Sequence, residues 1–387
     1  MTGGRGPRAV ALVDGEHYPE VVRDALAALP YAWIGVILVG GVEKLRGEID
    51  YGVPVVESFA GAEAVVDLSD EPVLTPSERL RWASRALAEG LPYVGADFRF
   101  EPPRLEPFAL PSISVIGTGK RVGKTAVTGH LARLLARDRS VVVVAMGRGG
   151  PPEPELVELP PTVAELVARS REGRHAASDH LETAAVCGVP TIGCRRAGGG
   201  IAGAVTVSNV AAGARLAEAR APDVVIFDGS GAAVPPVATD RRILVVGPRQ
   251  DADAYLNTYR RLISDLVIAV DCEVEGALRV KLRLRATGSL PGRVAVFTAG
   301  GTEISHLDAD VVHVSPNLAD RAALVRELER LDADTYLVEV KAAAIDLVAE
   351  HALANGREVV LAANDVVPVE GDLDAALLEL APLRAAA

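Results

Sequence analysis

The stretch PSISVIGTGKRVGKTAV, residues 111–127, is a short apolar run, then a glycine-rich turn, then the start of a helical pattern. A short apolar run before a turn reads as a strand. A turn of small residues directly behind such a strand lets successive backbone N–H groups converge, and a helix opening there adds the positive end of its dipole. That order of elements suits a nucleotide phosphate. Gly117, Thr118, Gly119, Lys120, Arg121, Val122 and Gly123 form the turn, Lys124 supplies a cation for the β- and γ-phosphates, and the Thr125 hydroxyl is the candidate magnesium ligand. The strict GxxxxGK[ST] spacing calls for glycine at position 118, where this chain has Thr118; the loop is one residue longer and opens at Gly117. A plain strand-to-helix turn is the competing reading of the motif alone, and the flanking strand and helix weigh against it.

Outward from the loop, β-branched runs alternate with helical patterns in both directions. Upstream lie RAVALVDG, AWIGVILVGG, GVPVVE and AEAVVDLSD, with the amphipathic PSERLRWASRALAEG before LPYVG. Downstream come SVVVVAMG, PDVVIFDG, RRILVVG, DLVIAV, RVAVFT, DVVHV, TYLVEV and EVVLAA, several with helical segments between them. Such alternation predicts an α/β protein of P-loop NTPase type, with a mostly parallel sheet and a smaller N-terminal Rossmann-like domain. RFEPPRLEPFALP is rich in proline and poor in periodicity, so the boundary is set at Phe108: residues 1–108 form the N-terminal domain and 109–387 the nucleotide-binding and catalytic domain with a C-terminal α/β extension. GALRVKLRLRATG alternates with period two and reads as a basic strand added at a sheet edge.

APDVVIFDGSG is a second strand ending in chemistry: Asp228 stands where a parallel strand can present a carboxylate to a metal-bound water, and the glycines permit close approach of a γ-phosphate. A capping Asp in an ordinary strand-to-helix turn is the alternative. GRGGPPEPE puts Arg148 behind another strand, and GCRRAGGGIAG puts Arg195 and Arg196 before Gly198 and Gly199. Guanidinium groups beside glycine N–H donors suit a dense cluster of phosphate oxygens, whereas a solvated turn is the alternative. In SDHLETAA, Asp179 and Glu182 share a helix face and are candidates for a hydrated cation or an arginine, with His180 beside them as a candidate substrate contact; capping and solvation explain the acids equally well. VDGEHYPE places Glu16 and His17 at the ligand-binding edge of the first sheet, with Asp14 a turn former. TAGGTEISHLD, residues 298–308, is a further glycine turn that a helix start explains as well as a nucleotide does.

The formal charge of −12 argues against a nucleic-acid or anionic-membrane partner, so local positive groups must hold any anionic ligand. Cys187, Cys194 and Cys272 form no CxxC pair and have no histidine at zinc-finger spacing. The opening MTGGRGPRAV lacks the apolar core of a signal peptide, and a cytoplasmic location is expected.

The segments DGEHYP, GTGKRVGKT, MGRGGP, DHLETA and CRRAGGG together resemble the cyclic 2,3-diphosphoglycerate synthetases, enzymes of thermophilic archaea and some heat-tolerant bacteria. The lengthened glycine loop by itself is similar to that of dethiobiotin synthetase and related P-loop proteins, in which an acidic residue followed by Gly-x-Gly stands where Asp228 does. The resemblance implies ATP-dependent closure of 2,3-diphosphoglycerate with release of ADP and phosphate, a requirement for Mg²⁺, K⁺ as a possible helper, and a homodimer. It makes Lys124, Lys120, Arg148 and Arg195 the catalytic candidates, Arg148, Arg195, Arg196, Gly198, Gly199, His180, Glu16 and His17 the substrate contacts, and Thr125, Asp228 and Glu182 the metal shell. Two rivals stay open: another ligase of the dethiobiotin synthetase type, and a nucleotide-switched regulator.

Overall fold

The computed structural model describes residues 6–42, 49–249, 251–300, 303–340 and 344–383. Of the 298–308 turn, residues 301 and 302 lie outside them. The chain divides into two compact units, Met1–Pro103 with Asp251–Ile263, and Arg104–Gln250 with Ser264–Ala387. The sequence sets its boundary at Phe108 and assigns everything beyond to one domain; instead a short excursion from the second part belongs with the first.

The first unit is a five-stranded sheet in the order β2-β1-β3-β4-β5, built from β1 (Arg8–Val13), β2 (Ala32–Leu38), β3 (Ala64–Asp67), β4 (Tyr93–Val94) and β5 (Arg99–Phe100). All neighbours are parallel except β4 and β5. Its helices are α1 (Pro19–Ala28) and α2 (Pro76–Ala88). Thr75 and Glu78 close a capping box at the start of α2, each satisfying an N–H of the other.

The second unit holds a thirteen-stranded sheet. Its first block is β6 (Ser112–Gly117), β7 (Val141–Gly147), β8 (Glu155–Val157), β9 (Thr191–Ala197), β10 (Val207–Ser208), β11 (Val224–Asp228), β12 (Arg241–Val246), β13 (Leu266–Val270) and β14 (Leu278–Ala286). The second block is β15 (Arg293–Phe297), β16 (Asp310–Ser315), β17 (Thr335–Glu339) and β18 (Glu358–Pro368). The order is β10-β9-β7-β11-β6-β12-β13-β14-β18-β17-β15-β16, with β8 on β9. From β9 to β14 every neighbour is parallel; β14 and β18 meet antiparallel, and β18, β17, β15 and β16 are again parallel. The basic strand is therefore β14, an internal seam and not an edge. Its alternation survives there because Val280 and Leu284 face the core while Arg285 pairs with Asp365 across the seam at 2.9 Å.

The helices are α3 (Lys124–Leu135), α4 (Val163–Arg171), α5 (Asp179–Cys187), α6 (Val210–Arg220), α7 (Asn257–Leu262, in the first unit, against α2), α8 (Arg321–Leu328), α9 (Glu350–Ala354) and α10 (Leu373–Leu380). No helix among the described residues is long and apolar enough to cross a membrane. β6 is buried along its whole length, at the centre of the sheet, which explains its unbroken apolar character. Val127, Leu131 and Leu135 recur on one face of α3 and pack into the cluster of Ile113, Val115 and Ile243. Each such side chain contributes about 1.5–3 kcal/mol by leaving water, so the helix behind the glycine loop is anchored firmly at its inner face.

Candidate active site

Glycine at position 123 is dictated by its backbone: φ is +94°, and it serves as the N-cap of α3 without any side-chain cap. The first turn of α3 also lacks an acidic residue, so no side chain within that turn neutralises its N–H groups and dipole. The loop is pinned at its start by the Thr118 N–H, which donates to the Val245 carbonyl at 3.2 Å. At its end, Lys124 Nζ donates to the Gly119 carbonyl at 3.3 Å, folding the side chain back over the turn. A methyl group on Gly117 would stand 2.9 Å from Val122 and 3.0 Å from Lys124, so the chain can close this tightly only over glycine. Thr118 is buried and its hydroxyl has no partner among the described residues, while Thr125 lies in the first turn of α3 and is half-buried.

Asp228 ends β11, directly beside β6, with Val115 as its register partner. It is 4% exposed, and its Oδ1 is buried without a partner. Burial pushes its pKa up to about 7; the Lys124 ammonium and the neighbouring Thr128 hydroxyl oppose that rise, and the carboxylates of Asp179 and Glu182 add to it. Asp228 and the α5 acids thus belong to one electrostatic neighbourhood with Lys124. Among the described residues no three His, Cys, Asp or Glu side chains are arranged to hold a metal alone. A magnesium ion fits this donor set only with phosphate oxygens and water completing its octahedron, which suits a nucleotide site. The buried Asp228 carboxylate, whose Oδ1 accepts no hydrogen bond among the described residues, is the observation that favours such an ion.

Register explains how the arginines arrive. Gly147 of β7 pairs with Arg195 of β9, so Arg148 and the Arg195–Arg196 pair leave neighbouring strands at the same edge, next to the end of β11. Arg196 lies close enough to Arg148 and Asp179 to feel both: burial and the Arg148 charge lower its pKa, and Asp179 raises it. Its Nη1 donates to the Gly198 carbonyl and its Nη2 to the Ser230 carbonyl, each at 2.8 Å. Gly231 follows with φ of +61°, and a methyl group there would stand 3.6 Å from Arg196 Nη2 and 3.7 Å from Lys120 Cγ. Lys120 and Arg196 therefore flank one turn, while Arg148 and Asp179 lie within electrostatic reach of Arg196, and Asp179 and Lys124 within reach of Asp228. Arg195, Gly198 and Gly199 are exposed on the same glycine-rich segment.

His180 lies outside the cluster, and Glu16 and His17 belong to a different unit of the chain. His180 is 2% exposed, packed where any side chain on Gly193 would strike its ring, and hydrogen-bonded through Nδ1 to Ser178 Oγ at 3.1 Å. Burial pushes its pKa down to about 4. It supports β9 from beneath and is not presented as a substrate contact, because the helical turn that exposes Asp179 turns the next residue inward. Glu16 and His17 belong to the first unit. There the buried Asp14 accepts from the backbone N–H groups of Glu16 at 3.0 Å, His17 at 3.3 Å and Asp70 at 2.7 Å, and lies 2.8 Å from His17 Nδ1. These hydrogen bonds outweigh burial and hold its carboxyl below the usual range.

Sequence reasoning missed Asn209 and Ser230. Asn209 Oδ1 accepts from the Arg195 N–H at 2.7 Å, and its Nδ2 donates to the carbonyls of Pro151 at 3.1 Å and Pro152 at 3.0 Å, clamping the Arg148 loop to the end of β9. The Ser-Asn pair before a helical run marks a helix start; nothing in it announces a clamp.

Three family profiles match the chain: the cyclic 2,3-diphosphoglycerate synthetase N-terminal domain over residues 8–62 and 58–101, its P-loop domain over 112–285, and its C-terminal domain over 301–365. A cyclic 2,3-diphosphoglycerate synthetase of Rubrobacter xylanophilus is 44% identical over 97% of each chain. One from Thermococcus kodakarensis is 41% identical over 96% of this chain and 98% of its own. Among solved structures, LpxK from Aquifex aeolicus in complex with ATP covers 72% of this chain and 89% of its own at 15% identity and a TM-score of 0.42, a likeness too loose to support an inference. Profiles spanning most of the chain, and relatives this similar along almost their whole length, make this protein a member of the cyclic 2,3-diphosphoglycerate synthetase family.

Proposed function

We propose that the protein uses ATP to close 2,3-diphosphoglycerate into its cyclic phosphoanhydride, with ADP and inorganic phosphate as the other products. One observation carries this reading: the start of α3, with Lys124 and the buried Asp228, opens at the same strand-end edge as Lys120 and the loops bearing Arg148 and Arg195. Two phosphate groups on neighbouring carbons repel each other. Drawing them together requires fixed positive charge that costs no reorganisation at the moment of reaction. Arginine forks meet phosphate oxygens two at a time, and Arg148 and Arg195 are the exposed candidates, with the Gly198 and Gly199 N–H groups beside them.

The chemistry runs in two displacements. An oxygen of one substrate phosphate attacks the γ-phosphorus of ATP, the bond to the β,γ-bridging oxygen breaks, and ADP leaves with that electron pair. An oxygen of the second substrate phosphate then attacks the phosphorus of the first; its bond to the transferred phosphoryl group breaks, and inorganic phosphate departs. Phosphate oxygens are largely deprotonated at neutral pH, with a second pKa of about 6, so neither step asks for a protein base. Lys124 and Lys120 meet charge on the transferring group, and the backbone N–H groups of the loop hold the β-phosphate in line. Thr125 and Asp228, with Glu182 in the outer shell, would hold a magnesium ion, which neutralises the phosphate oxygens when bound.

Incubation with Mg·ATP and 2,3-diphosphoglycerate, followed by phosphorus NMR, tests the proposal. A cyclic anhydride, with ADP released only when the bisphosphate is present, is the expected result; slow ADP release indifferent to the bisphosphate but accelerated by a protein supports the switch instead. The same reading takes the enzyme as a heat-stable cytoplasmic homodimer, tested by sedimentation and melting of the purified protein, and replacement of K⁺ by Na⁺ tests the monovalent ion.

A further inference from the structure

Arg196 differs from the two arginines around it. Arg148 and Arg195 are exposed, and neither side chain donates to another group among the described residues. Arg196 is half-buried and has spent both terminal nitrogens on main-chain carbonyls: Gly198 in the loop behind β9, and Ser230 in the turn behind β11, 34 residues away in sequence. Its Nε is buried and has no partner among the described residues. Little of the guanidinium is left to grip a ligand.

What the two carbonyls have in common is their setting. The segment from Gly198 to Gly203 carries four glycines and little regular structure, its middle held by the Gly200 N–H on the Ala204 carbonyl at 2.8 Å and the Gly203 N–H on the Gly200 carbonyl at 2.9 Å; four glycines still have much conformational freedom to lose. Its far end is tied by the Val234 N–H to the Gly203 carbonyl at 2.8 Å, and its near end by Arg196. The Ser230–Gly231 turn, in turn, borders Lys120 of the phosphate loop. A planar fork holds two acceptors at a set separation, which a lysine's single ammonium on a flexible stem does not.

We infer that Arg196 is a positioning residue that couples the two halves of the site: it ties the Gly198–Gly203 loop to the turn beside the nucleotide phosphates, so that a bound nucleotide orders the loop that receives the bisphosphate. The inference rests on the preceding proposal that the bisphosphate occupies the arginine-bearing loops. By linkage, each ligand must then tighten the other by the same factor.

Isothermal titration of a non-hydrolysable ATP analogue with Mg²⁺, and of 2,3-diphosphoglycerate, each alone and each in the presence of the other, measures that factor. In the wild type the mutual tightening is about tenfold. In Arg196→Lys it falls below about twofold while each affinity measured alone stays within about threefold of wild type. Arg196→Met serves as the second variant, and its unchanged affinity for the analogue alone shows that the glycine loop is still folded. An equal loss of bisphosphate affinity with and without nucleotide makes Arg196 a direct ligand and overturns the inference, as does tightening that survives in both variants or is missing from the wild type. A wild type that binds no bisphosphate even with the analogue bound overturns the proposed function itself, and this inference with it.

Discussion

Replacing Asp228 with Asn removes a charge that the fold holds at a cost when no cation is present. The carboxyl ionises near 3.8 in an unfolded chain and at about 7 in its buried position. Between these values the folded state binds more proton than the unfolded state, so this group makes stability fall as pH rises, and its cost is complete above the folded value. A separation of about three units corresponds to a cost of about 4 kcal/mol at pH 8, and about 1–2 kcal/mol remains at pH 5. The side chain is 4% exposed, so solvent screens little of it. Asn escapes that cost but brings amide protons that need acceptors, a penalty of about 1–3 kcal/mol that does not change with pH. It cancels when two pH values are compared. Without ligands, the stability of Asp228→Asn relative to wild type should therefore be greater at pH 8 than at pH 5 by about 2–3 kcal/mol. Urea denaturation of both proteins in EDTA, followed by far-ultraviolet circular dichroism, measures it. With Mg·ATP at a hundred times its dissociation constant the wild type gains about 2.7 kcal/mol, and the variant gains much less. A stability difference that stays constant from pH 5 to pH 8 would refute the claim that Asp228 is a strained carboxylate awaiting a cation.

The remaining expectations are simpler. Lys124→Ala should lower product formation by about a thousandfold or more, whereas Arg148→Ala should raise KM for the bisphosphate by about 10–100-fold and leave KM for ATP within threefold; steady-state kinetics that show the same pattern for both variants contradict the division of roles. Gly123→Ala must hold φ at +94° and bring a methyl group to 3.1 Å from Val270, costing about 1–3 kcal/mol, so nucleotide affinity measured by calorimetry should collapse while the first unit's tryptophan fluorescence stays native. His180→Gln should leave KM for the bisphosphate within about twofold, because the ring lies beneath β9; a tenfold rise would return it to the substrate site.

Residues 111–127 were sufficient to read a strand, a phosphate loop and a helix because all three are local: apolar run, glycine at the helix start, Lys-Thr in the first turn. Asp228 was legible for the same reason, as a carboxylate closing an apolar strand beside two glycines. The Arg148 and Arg195–Arg196 loops could be named as candidate anion sites from composition alone. That they meet each other was not legible, since it depends on β7 and β9 pairing with Gly147 opposite Arg195. The basic strand was misread as an edge because period-two alternation reports one polar face and says nothing of which strand will lie beyond it; β18 supplies Asp365 only after the chain has run another 80 residues.

The alternation of strands and helices and the lengthened glycine loop were determined by sequence alone, because each rests on neighbours within a few residues, and the family follows from motifs and similarity spread along most of the chain. Which charges share a site was decided only in three dimensions. Lys120, Arg148, Arg196 and Asp228 come from four segments whose spacing in the chain carries no information about distance, and parallel pairing of β9, β7, β11 and β6 delivers their carboxyl ends to one edge. Burial was decided there too: it lifts Asp228 toward neutrality, takes His180 out of the site, and turns Arg196 from one more positive charge into a tie between two loops.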